Sequence, residues 1–104
     1  MKDQFEISAI HESDIDQVKL IEGEAGLSVW PEASYLKLIR NEHSICLKIK
    51  TNKDGALKTV GFIVSQILVE PEDAAGSAEI YNISVLRAKR RKGFGAALID
   101  RLIS

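Results

Sequence analysis

Cysteine is nearly absent from this chain: Cys46 is the only one among 104 residues. A lone cysteine excludes an internal disulfide and a thiolate metal cage. Its setting in SICLKI, which alternates as a strand does, predicts a buried and inert thiol rather than a nucleophile. A long apolar run is missing too. The N-terminal MKDQFEIS has no apolar core of a secretion signal, and no stretch reaches the length of a bilayer-spanning helix. The expected location is therefore the cytoplasm. Excess charge of one sign is also lacking, since the net charge is −1 at neutral pH, so no global attraction to nucleic acid or anionic membrane is expected. Signs of internal repeats, of a linker and of a second domain are equally lacking, so a single domain over residues 1–104 is expected.

What is present is a regular alternation of elements. Phe5, Ile7 and Ala9 alternate with polar neighbours and predict a strand over Gln4–Ile10. Ser13 followed by Asp16 predicts a helix N-cap with an acid in the first turn. Ile15, Val18, Ile21 and Ala25 continue at helical spacing until Gly23 or Gly26. Pro31 suits the first position of a second helix, with Tyr35, Leu38 and Ile39 as its apolar stripe and an end near Asn41. Ser44–Lys50 and Lys58–Val69 read as a strand pair joined through Asp54-Gly55, a strong hairpin signal. Pro71–Ser77 reads as a turn, Ala78–Leu86 as a further strand, and the last helix opens near Gly93 with Phe94, Leu98 and Leu102 on one face. The expected order is β-α-α-β-β-β-α, an α/β (α+β) chain with a mixed sheet.

Residues 79–98, EIYNISVLRAKRRKGFGAAL, carry the chemistry. Gly93 and Gly95 lack a Cβ, so a ligand can approach the surrounding amides closely. Those amides fall in the first turn of a helix, where N–H groups have no intrahelical partner and the helix dipole favours an anion. Arg90, Arg91 and Lys92 add positive charge at the same point. The combination fits a pyrophosphate. A nucleoside-triphosphatase loop would need Gly-Lys-Ser/Thr where Gly95-Ala96-Ala97 stands, and a dinucleotide fingerprint would need a small residue in place of Leu98. A solvated charged turn or a nucleic-acid patch is the plain alternative. No aromatic residue interleaves with the basic ones, and the whole chain is slightly acidic, so nucleic acid is not an expected partner. His11 and His43 lack metal-ligand spacing, and His11 with Asp14 and Asp16 lacks the glycine and terminal glutamate of a calcium loop, so no metal is assigned.

The stretch Arg90-Arg91-Lys92-Gly93-Phe94-Gly95 resembles motif A of the GCN5-related N-acetyltransferase (GNAT) family, Arg/Gln-x-x-Gly-x-Gly/Ala. Together with EIYNISVL, WPEASYLKLI and HSICLKI, the chain looks most like the ribosomal-protein alanine N-acetyltransferase branch. The resemblance covers essentially the whole chain and implies the acyl-CoA N-acyltransferase fold, in its N-terminal half plus motif A. It implies acetyl-CoA as cosubstrate, with the backbone of Ile83, Ser84 and Val85 pairing with the pantetheine arm. Amides of Arg91, Lys92, Gly93, Phe94, Gly95 and Ala96 would hold the pyrophosphate, with Arg90 beside them. Direct attack by an amine on the thioester, with backbone N–H groups near Val85 stabilising the oxyanion, needs no covalent enzyme intermediate. Glu79 matches the general-base glutamate of the histone-acetylating branch; it is equally a solvent-facing carboxylate at a strand start. Tyr81, placed on the Glu79 face by period-2 alternation, either lines the acceptor groove or packs. Trp30 and Glu32 are candidate contacts to an acceptor such as a protein N-terminus, although core or surface packing suits Trp30 better.

The same resemblance implies a further strand, a helix with a tyrosine acid and a closing hairpin that the 104 residues do not include. The expectation is thus an incomplete domain that binds acetyl-CoA but turns over weakly or not at all, whose strand 78–86 offers a free edge for self-association. A non-catalytic coenzyme A-binding or interaction module, completed by a partner or a second copy, is the alternative from a different class.

Overall fold

The computed structural model describes residues 5–26, 30–53, 56–68, 77–90 and 92–103. In chain order they form β1 (Phe5–Ala9), α1 (Ile15–Glu24), α2 (Glu32–Ile39), β2 (Ser44–Lys53), β3 (Ala56–Leu68), β4 (Ser77–Val85) and α3 (Phe94–Ile103), with short 3-10 turns at Glu12–Asp14 and Arg87–Lys89. The expected β-α-α-β-β-β-α order holds. The strands pair in the order β1-β2-β3-β4, every pair antiparallel, so the sheet is antiparallel throughout the described residues rather than mixed. The pair Lys53↔Ala56 brackets the expected Asp54-Gly55 turn, which lies outside the described residues, as do positions 71–76 of the expected Pro71–Ser77 turn and Val69.

Helices cover both faces of the sheet, so its central strand must be apolar on both sides. On one face Ile10, Ile15, Val18, Ile21 and Tyr35 pack with Phe62 and Val64. On the other, Phe94, Leu98 and Leu102 of α3 pack with Ile49, Val60 and Ile63. Alternation along β3 sends Phe62 and Val64 one way and Ile63 the other, and the register shift that leaves Val60 unpaired against β2 lets it join the Ile63 side. Cys46 packs against the first cluster, and burial pushes its thiol above the ordinary range against an opposing backbone hydrogen bond at Ser65. The thiol expected to be buried is thus partly buried at the margin of this cluster.

Helix N-termini fall one residue away from where the local signals place them. Ser13 does not act as the cap. Glu12–Asp14 is a 3-10 turn that runs directly into α1, so Asp14 takes the N-cap position, and its Oδ2 accepts the His11 N–H at 2.8 Å. Gly26 ends α1 as expected, at φ +75°, donating its N–H to Gly23 O at 3.1 Å. Pro31 precedes α2 in extended conformation as its N-cap, one position earlier than expected.

Gly61 of β3 is a required glycine. A Cβ there would stand 3.0 Å from the carbonyl oxygen of Ser84 and 3.1 Å from side-chain carbons of Ile49 and Val85. Absence of that carbon lets β4 lie close to β3 at the end where the glycine-bearing turn begins.

Candidate active site

The turn from β4 into α3 is built as its sequence suggests. β4 stops at Val85, Leu86 N–H donates to Val60 O at 2.7 Å, and the 3-10 turn Arg87–Lys89 redirects the chain. Gly93 adopts φ +82°, a left-handed conformation that glycine takes without steric cost. The first intrahelical bond of α3 runs from Ala97 N–H to Gly93 O at 2.9 Å. Hence the N–H groups of Phe94, Gly95 and Ala96 have no intrahelical acceptor. A Cβ added at Gly93 or Gly95 would meet nothing within 4 Å, so there is open space beside the backbone at both glycines. That space is a cavity of about 290 Å³ lined by Val85, Lys89, Arg90, Gly93, Phe94, Gly95 and Ala96. Backbone donors, a helix N-terminus and two basic side chains on one cavity make an anion cradle. Lys92 is exposed beside it, and Arg91 lies outside the described residues.

The outer edge of β4 leads into this cradle. Since Leu86 bonds inward to Val60, the pair Phe62↔Ser84 is the next hydrogen-bonding pair of the ladder. The backbone of Ser84 is therefore turned toward β3, and that of Ile83 and Val85 toward the edge. Of the backbone trio expected to meet a pantetheine arm, two are so placed. Arg90 already uses one of these groups: its Nε donates to Val85 O at 2.9 Å.

Four residues upstream, about 13 Å along a strand, the alternation of β4 breaks. Val64 pairs with Asn82 but Ser65 pairs with Ile80, which leaves Tyr81 as the extra residue of a β-bulge. Simple alternation would put Glu79, Tyr81 and Ile83 on one face. Instead Ile83 packs into the α3-side cluster, whereas Tyr81 and Asn82 both turn toward α1 and α2. Tyr81 Oη donates to Gln66 Oε1 at 2.6 Å, and Asn82 Nδ2 to Glu22 Oε2 at 2.8 Å. Glu79 pairs with Gln66 and is exposed, so it shares the Tyr81 side by register rather than by uninterrupted alternation.

On that side lies a second cavity, of about 430 Å³, lined by Trp30, Ser34, Lys37, Leu38, Asn41, Gln66 and Tyr81. Trp30 and Tyr81 form its aromatic walls, ring centroids 6.3 Å apart. Glu32 is exposed at the start of α2 and is not among the lining residues. Sequence reading missed what holds the walls. Glu22 has no exposed surface; its carboxylate accepts the Trp30 N–H at 2.5 Å, the Asn82 amide, and the Tyr35 hydroxyl. The phenol of Tyr35 is raised far above its ordinary range by burial and by the Glu22 carboxylate beside it. The available signal was Glu22 falling next to Ile21 on the apolar side of α1, at the position where a surface helix would place an apolar residue. Among the described residues no cluster of His, Cys, Asp and Glu is placed to hold a metal ion.

Comparison with known proteins agrees with this architecture. A sequence model described as the acetyltransferase (GNAT) family matches residues 12–104. The structure is similar to the ribosomal-protein-S18-alanine N-acetyltransferase of Escherichia coli, with a TM-score of 0.71 and 24% identity over 95% of this chain. It is also similar to the ribosomal-protein-alanine N-acetyltransferase of Brucella melitensis biovar Abortus 2308, with a TM-score of 0.68 and 26% identity over 95% of this chain. Arabidopsis thaliana NAA60, solved with a bisubstrate analogue, superposes with a TM-score of 0.78 at 15% identity over 96% of this chain. The chain spans 57%, 69% and 65% of those three proteins. A search of curated proteins gives no match. The matched residues include the whole of the β4–turn–α3 cradle, and the chain belongs to the acetyltransferase (GNAT) family.

Proposed function

We propose that this chain binds acetyl-CoA and presents its acetyl group to an amine, with a protein N-terminal alanine or a similar amine as acceptor and the cytoplasm as the place of action. The observation that carries the reading is the open row of amides at Phe94–Ala96 facing a cavity that also holds Lys89 and Arg90. The pyrophosphate would sit on that row, together with the amides of Arg91, Lys92 and Gly93. The pantetheine arm would run along the edge-facing backbone of Ile83 and Val85 toward the bulge, as an added strand does. Edge N–H groups are also suited to the developing oxyanion, because fixed backbone donors need no reorganisation as charge appears. Glu79 would take the proton of the attacking amine, directly or through water. The cavity between Trp30 and Tyr81 would receive the acceptor, with Glu32 at its approach.

Calorimetric titration of acetyl-CoA tests the first step. Binding heat is expected, weakened several-fold by Arg90→Ala; no heat at millimolar ligand would sink the proposal. Thiol release on peptide amines is expected to be very weak for these 104 residues, and robust turnover would overturn that.

A second reading, of a non-catalytic module completed by another chain, has one observation in its favour. β4 is the end strand of the described sheet, and Ile80 on it is 43% exposed. A free edge of this kind is a template for strand pairing. On that reading sedimentation velocity shows mass rising with concentration, and Ile80→Lys abolishes the rise; a clean monomer at high concentration removes it.

A further inference from the structure

We propose that Glu22 is the positioning residue of the acceptor cavity: one buried carboxylate fixes both of its aromatic walls. The proposal rests on the acceptor reading of that cavity. Glu22 lies in α1, outside the cavity and outside the β4–α3 cradle. Its Oε1 holds the backbone N–H of Trp30, the residue that leads into α2, at 2.5 Å. Its Oε2 takes the hydroxyl of Tyr35 in α2 and the amide of Asn82 in β4. Asn82 is next to the bulged Tyr81, so the bond to Asn82 sets the bulge that aims Tyr81 toward α2. Tyr35 in turn packs its ring 5.4 Å from Trp30 and 6.4 Å from Phe62. A single carboxylate thus ties the entry to α2, the body of α2 and the bulge of β4.

The energetic argument is the cost of the alternatives. Burying a carboxylate with no exposed surface is expensive unless donors satisfy it. Here three donors from three segments converge on it, and displacing any one of those segments leaves the buried carboxylate a donor short. Trp30 and Tyr81 themselves are only partly buried, Tyr81 being 38% exposed, so packing alone does not lock their orientation. The bonds to Glu22 do so from behind. Surface placement of this carboxylate would have offered none of this, since an exposed bond is readily exchanged for water.

Trp30 is the sole tryptophan, so its fluorescence reports on one wall without any assay of activity. Glu22→Leu is expected to red-shift Trp30 emission and raise its quenching by acrylamide. Glu22→Gln should restore most of the native signal, since glutamine keeps an acceptor for the Trp30 N–H while Tyr35 and Asn82 turn to accept from its amide. The second readout compares coenzyme A with a coenzyme A–peptide conjugate joined through the peptide α-amine. Wild type should bind the conjugate more tightly. Glu22→Leu should lose that increment, about tenfold for ~1.4 kcal/mol, with the affinity for coenzyme A unchanged. Where Glu22→Leu fails to fold, Asn82→Ala carries the test, because it cuts only the link to β4; it should lose part of the increment and leave Trp30 unshifted. Unchanged Trp30 quenching in folded Glu22→Leu overturns the proposal, as does equal weakening of coenzyme A and conjugate. A shifted Trp30 with an intact conjugate increment upholds Glu22 as the anchor and overturns the acceptor reading of the cavity.

Discussion

At the scale of single residues the structure rests on polar groups placed where charge is costly. Asp14 and Lys48 form an ion pair at 2.5 Å with side chains 15% and 7% exposed. Burial raises the Asp14 carboxyl, but the hydrogen bonds from Lys48 and the His11 N–H, with the charges of Lys48 and Lys50, outweigh it and hold the group below its ordinary value. A carboxylate with a depressed folded pKa contributes stability that is present above the unfolded value and lost as pH falls through the folded one. Asp14→Asn should therefore cost about 1–3 kcal/mol near neutrality, as expected when one partner of a partly buried, charge-assisted hydrogen bond is removed. In urea titrations the gap between wild type and variant should narrow as pH falls below about 3.9. A gap constant from pH 7 to pH 2 would contradict the assignment. Gly61→Ala makes a steric prediction at the same scale: its Cβ would press on the Ser84 carbonyl at 3.0 Å. The fit of β4 on β3 should loosen at a cost of about 1–3 kcal/mol, read as a lower urea midpoint.

Among elements, the α3 helix and the β4 strand divide the work. α3 was legible because Phe94, Leu98 and Leu102 recur at helical spacing, and all are buried. The cradle was legible because glycine chemistry is local: a left-handed Gly93 and amides without intrahelical acceptors follow from the residues themselves. The bulge at Tyr81 was not legible, since it depends on which residues of β3 lie opposite, and a one-residue slip of register is invisible in alternation alone. Glu22 was missed for a related reason: its three donors are brought together only by tertiary structure, from 8, 13 and 60 residues away. Two substitutions in the α3 region separate packing from conformation. Leu98→Ala, at a position with no exposed surface, should cost ~2–5 kcal/mol through lost contacts and a cavity. Gly93→Ala meets no atom within 4 Å, so its cost should be the left-handed conformation alone, ~1–2 kcal/mol. The expected ordering in chemical denaturation is Leu98→Ala below Gly93→Ala below wild type, and an inverted order would refute the division.

For the whole molecule, the cradle lies where β4 ends and α3 begins, and both elements feed the same cluster around Ile63 and Leu98. Leu86, at the junction, touches both clusters. A ligand that binds only the folded junction must then stabilise the entire chain by mass action. With acetyl-CoA at a hundred times its Kd the gain is ~2.7 kcal/mol. For a chain of about this size each kcal/mol moves the melting temperature by ~4–8 °C. Thermal melts should therefore rise by more than about 10 °C on that scale. The parts of the ligand should divide in a way the geometry dictates. Adenosine diphosphate carries the pyrophosphate that matches the amides of Phe94–Ala96 and should give a substantial part of the shift. Pantothenate carries only the group that would pair with the edge of Ile83 and Val85 and should give little. A larger shift from pantothenate than from adenosine diphosphate would mean that the β4 edge, not the glycine-bearing turn, is what holds the ligand.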